Sequence, residues 1–169
     1  MTITNKTTIG EAALFMKKEH FEQLLKQCEP VRLEKPIISM TVGEFIEACD
    51  DDYIMRFFQD KGQLLVVAIG KVKQFNKEME NISKLFKLNE TKPTNDELTA
   101  QKGVVFPTFQ ETMLCECLEW FHLHSLDDAE NIPLSNYLIV KRKKTAEALY
   151  ERNLNKLYAD KNSKPKGNK

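Results

Sequence analysis

Cys115, Cys117, His122 and His124 place two thiols and two imidazoles within ten residues, and these are the ligand types that hold zinc. On one continuous helix, at about 100° per residue, Cys115 and His122 share a face while Cys117 and His124 share the nearly opposite face. Each like-facing pair is seven residues apart, roughly 10.5 Å along the axis. Two helical ligands of a single ion need i,i+3 or i,i+4 spacing instead. The expectation is a metal-free helix that runs from Thr108 to about His124. Its buried stripe is Leu114, Cys117, Leu118 and Phe121, and Glu116 and Glu119 face water.

The other chemical candidates are weaker. Asp50, Asp51 and Asp52 lack the alternating acids and distal glutamate of a calcium loop, so they read as caps for the following helix. Cys28 precedes an acid and a proline and Cys49 precedes three acids, and neighbouring negative charge raises a thiol pKa, against nucleophilic use. The six glycines are scattered, and no phosphate-binding, nucleophile-elbow or zincin motif occurs. The reading is a non-enzyme without metal or cofactor.

Charge gives the sharper clue. The whole chain is neutral, with 25 basic and 25 acidic residues. Residues 141–169 hold ten Lys/Arg against three Asp/Glu, which leaves 15 basic and 22 acidic residues in the first 140. A +7 end therefore follows a −7 body. Its densest part is the collar Lys141, Arg142, Lys143 and Lys144, where phosphate or nucleic-acid contact is the alternative to an ordinary solvated face. Tyr150, Leu154, Leu157 and Tyr158 then carry an apolar edge almost to the end of the last helix. Such an edge must cover its own body or a partner.

These groups need a scaffold, and capping signals mark where it begins. Thr8–Glu11, Thr41–Glu44, Thr94–Glu97 and Thr108–Glu111 each spell a capping box, with Ser125–Asp128 a weaker fifth. The first helix is expected over 9–27, with Leu14, Phe21, Leu24, Leu25 and Cys28 inward. Pro30 and Pro36 bracket an extended connector over 31–39, a short edge strand at most. A second helix follows Thr41 and a third spans 53–60, with Ile54, Phe57 and Phe58 inward. Over 64–88 the stripe Leu65, Ala68, Val72, Phe75, Met79, Ile82 and Phe86 favours a helix, although 64–69 alone suits a strand. A polar loop around Pro93, a short helix after Thr94, the helix after Thr108, a turn over 126–131 and a last helix over 134–158 complete the order. The fold class is a single all-α irregular bundle of six or seven helices over 1–160, with a basic solvated tail over 161–169.

No apolar run exceeds six residues, so no membrane span is expected, and the polar start over 1–9 does not resemble an export signal. With no disulfide-like cysteine spacing, these features suggest a cytoplasmic location.

The stretch Gly103 to Lys144, GVVFPTFQETMLCECLEWFHLHSLDDAENIPLSNYLIVKRKK, together with Thr41 to Tyr53, TVGEFIEACDDDY, resembles small helical accessory proteins of tailed bacteriophages, of the tail-assembly and virion-connector kind. The resemblance implies a non-enzymatic protein that packs against copies of itself or other phage components, in the host cytoplasm or in the virion. It identifies no functional residue.

Overall fold

The long apolar stripes of the chain are helical in spacing, and the computed structural model is correspondingly all-α. It describes residues 4, 6–13, 18–87 and 95–163, and among these there is no strand. The elements in order are α1 (Ile9–Ala12), α2 (Lys18–Gln27), a 3-10 turn (Ile37–Ser39), α3 (Val42–Ala48), a 3-10 helix (Asp51–Phe58), α4 (Leu65–Lys87), α5 (Asn95–Ala100), α6 (Phe109–Trp120), α7 (Leu126–Glu130) and α8 (Leu134–Ser163). Leu14, Leu88, the loop around Pro93, the Thr94 half of its box and the tail from residue 164 lie outside the described residues.

The capping boxes at Thr8, Thr41 and Thr108 form as spelled. In each, the threonine hydroxyl accepts from the backbone N–H of the glutamate while that carboxylate accepts from the threonine N–H. Ser125 caps α7 without completing a box, its hydroxyl accepting from Asp128 N–H at 3.1 Å and donating to the Asp128 carboxylate at 2.7 Å, and the expected turn over 126–131 begins as a helix. Of the first helix expected over 9–27, α1 covers Ile9–Ala12 and α2 covers Lys18–Gln27, with 14–17 outside the described residues. The connector holds a 3-10 turn instead of a strand. Asp50 stands at the N-cap position of the second 3-10 stretch, but its side chain makes no capping hydrogen bond there.

The 64–69 segment joins α4, and only Leu64 makes an isolated bridge, to Thr8. The periodicity prevails because α4 serves two cores. Leu65, Ala68 and Ile69 pack with Ile9 and Ala12, whereas Phe75 and Ile82 pack with Val42, Phe45, Met113 and Tyr137. Gly70 lies between the two. A Cβ at Gly70 would meet Val31 Cγ2 at 2.5 Å and Glu29 O at 2.7 Å, and the Val31 N–H donates to Gly70 O at 3.0 Å. The glycine that lowers helix propensity by about 1 kcal/mol lets the connector lie directly on α4.

α6 stops at Trp120, short of His124, because His122 takes the left-handed conformation at φ 55°. The Leu123 N–H donates to Leu118 O at 3.0 Å, the six-to-one bond of a Schellman ending. Histidine here fills the place glycine usually holds, which is why no glycine signals the stop.

Candidate functional site

α8 is built in two parts. Its first residue is tied to the connector, since Leu134 N–H donates to Met40 O at 2.9 Å. Leu134 and Tyr137 are fully buried, and the proximal turns rest on α3, α4 and the 3-10 turn. From Arg142 to Lys161 no residue is buried. The helix continues unbroken to Ser163, so this arm reaches roughly 33 Å at 1.5 Å per residue.

The joint between the two parts is a polar node that the sequence did not reveal. Glu116 was expected in water. Its carboxylate instead accepts from the Tyr137 hydroxyl and from the Lys141 ammonium, and its side chain is only 19% exposed. Trp120 stacks on Tyr137 with centroids 5.7 Å apart, and Lys141 Nζ lies 5.5 Å from the Trp120 centroid. Burial first, and the Glu116 carboxylate second, push the Tyr137 phenol well above its ordinary range. The only sign in the sequence was a glutamate flanked by two cysteines; its partners lie 21 and 25 residues away and follow no helical period.

On the arm, Tyr150, Leu157 and Tyr158 are 68%, 58% and 55% exposed, while Leu154 is partly covered. The structure brings these four residues onto one edge. Of the basic collar, Arg142, Lys143 and Lys144 are exposed, whereas Lys141 is held by Glu116. Lys143 pairs loosely with Glu147 at 3.7 Å. The collar is thus three exposed cations and one committed to the joint.

The thiol–imidazole cluster is not assembled. Cys117 is buried, Cys115 is exposed, and His122 leaves the helix; among the described residues no three His, Cys, Asp or Glu side chains could hold a metal ion. Burial, then the neighbouring Glu116 charge, pushes the Cys117 thiol up to about 11. The Cys28 thiol is also raised, by burial and not by its acidic neighbour, with Lys73 opposing; Cys49 is raised by burial and then by Asp50.

A cleft of about 700 Å³ opens between the connector, α3, the 3-10 helix and α4. Leu33, Met40, Tyr53, Phe57 and Phe75 supply its apolar side. Tyr53 stacks on Phe75 at 5.2 Å, and Arg56 covers the outer face of Tyr53 at 4.7 Å. Ion pairs Lys35–Glu44, Arg56–Glu47 and Lys71–Glu34 rim it. Glu44 and Glu47 are shared with a shallower hollow that adds Asp127 and Glu130. α7 comes this close because position 43 is glycine, where a Cβ would stand 2.9 Å from Glu130 Cβ.

Comparisons with protein-family models, with curated proteins and with solved structures found no match. No helix among the described residues is long and apolar enough to cross a membrane.

Proposed function

We propose that this chain is a non-enzymatic assembly protein that binds a protein partner, itself or another component, through the distal edge of α8. One observation carries the reading. A helix whose proximal turns are anchored in the core continues over 142–161, roughly 30 Å, with no buried residue, yet keeps Tyr150, Leu154, Leu157 and Tyr158 on one edge. Helices in proteins draw most of their stability from packing an apolar face, and aromatic residues exposed at helical spacing are the anchors of helix-in-groove recognition. The tail-assembly or virion-connector role implied by the phage resemblance fits within this proposal.

Removing residues 150–169 tests it. The shortened chain should lose self-association or partner capture in light scattering while its circular dichroism melting temperature moves little, because none of the described residues removed is buried. An assembly unchanged by the deletion would overturn the proposal. The exposed cations Arg142, Lys143 and Lys144 support a second reading, nucleic-acid contact. That reading requires binding that weakens steeply with salt and vanishes when the three are replaced by glutamine.

A further inference from the structure

We infer that the 700 Å³ cleft between α3, the 3-10 helix and α4 receives the α8 arm of a second copy of this chain. The inference rests on the proposed role of the α8 edge and supplies the surface that edge would cover.

Charge selects the occupant. The cleft and the adjoining hollow together carry six acids, Glu34, Glu44, Glu47, Asp60, Asp127 and Glu130, against three bases, Lys35, Arg56 and Lys71. Residues 142–169 carry nine Lys/Arg against three Asp/Glu. Two arms laid on each other would bring like net charge together, whereas an arm on this body brings opposite charge together. The apolar surfaces correspond as well. Tyr150, Leu154, Leu157 and Tyr158 recur at i, i+4, i+7 and i+8, the spacing of groove-binding anchors, and the cleft presents the half-buried Tyr53 and Phe57. At about 100° per residue, Lys143 and Lys161 each fall about 20° from Tyr150 around the helix, so a cation brackets the apolar edge at either end.

Geometry makes the contact intermolecular. Leu134, the first residue of α8, is bonded to Met40, which lines the cleft. Tyr150 lies sixteen residues further along an unbroken helix, roughly 24 Å away, and cannot fold back. A second copy can place its arm there. Reciprocal exchange closes a two-fold dimer, and one-way exchange propagates a chain of subunits.

The test is charge reversal in the full-length chain. Glu47→Lys with Glu130→Lys reverses two exposed rim positions, and Lys143→Glu with Lys161→Glu reverses the brackets on the arm. Each double variant should weaken self-association in light scattering, across micromolar to submillimolar protein, by about tenfold or more. Mixing the two variants should restore it, because the lysines placed on one rim then face the glutamates placed on the other copy's arm, and the unaltered rim faces the unaltered arm. The milder Glu47→Gln with Glu130→Gln serves should the lysine pair perturb folding, and should weaken association in the same direction. Association that resists both rim variants but is lost in Tyr150→Ser with Leu157→Ser would overturn the cleft while leaving the α8 edge as the binding surface. A chain monomeric throughout that range would overturn the inference alone, since the α8 edge would still be open to another component, whereas association that survives the serine pair would overturn the inference together with the proposal beneath it.

Discussion

The two halves of α8 share one helix and have opposite environments. Over 134–141 the helix is held by burial: Leu134 is fully enclosed, Tyr137 is 1% exposed, and Lys141 is clamped between Glu116 and the face of Trp120. Over 142–161 the same backbone geometry persists with no buried residue. Both halves belong to one α-helix, and what separates them is side-chain burial. The proximal half is built for stability. The distal half contributes little stability.

Alanine at matched tyrosines breaks this comparison most directly. Tyr137→Ala should cost about 3–5 kcal/mol, from lost apolar burial and a cavity against Trp120 and Phe86. Tyr150→Ala, with its ring largely in water, should stay within about 0.5 kcal/mol. Chemical unfolding of the two variants measures both, and equal costs would mean that the arm is packed in solution.

Gly70→Ala comes next. Helix propensity alone predicts a gain of about 1 kcal/mol, but the new methyl would collide with Val31 and with the Glu29 carbonyl. The expected result is a net loss of about 1–3 kcal/mol, seen as a lower urea midpoint. A gain would show that the connector yields easily.

An alkaline effect of comparable size belongs to the core on which the proximal half packs. The Cys117 thiol is raised from its ordinary 9.0 to about 11. Above pH 9 an unfolded chain gives up this proton while the folded one keeps it. Stability therefore falls as pH rises from about 9 and levels off past about 11, by at most about 2–3 kcal/mol. Tyr137, raised in the same direction, adds a loss of the same sign. Urea midpoints from neutral to alkaline pH should fall less in Cys117→Ala than in the parent chain.

How legible each feature was in the sequence depended on how local its cause is. Capping boxes are four-residue chemistry, and those at Thr8, Thr41 and Thr108 form as written. The α4 stripe was readable because its period runs through both cores. The end of α6 was not, since a histidine stands where glycine would have marked the turn, and α7 was missed because five residues carry too little periodicity. The apolar arm edge and the basic collar were visible as sequence neighbours. Glu116, placed in water by helical phase, is drawn inward by Tyr137 and Lys141 from a different helix. The cleft escaped notice for the same reason, because its lining comes from segments tens of residues apart.

The joint also gives the molecule an optical property. The chain has one tryptophan, and it sits where the arm leaves the body, stacked on Tyr137 with the Lys141 ammonium over its ring. Indole emission responds to nearby charge and to hydration, so all tryptophan fluorescence of this protein originates at that hinge. A partner that levers the arm would shift the emission without any label attached, and one that merely coats the arm tip would leave it unchanged.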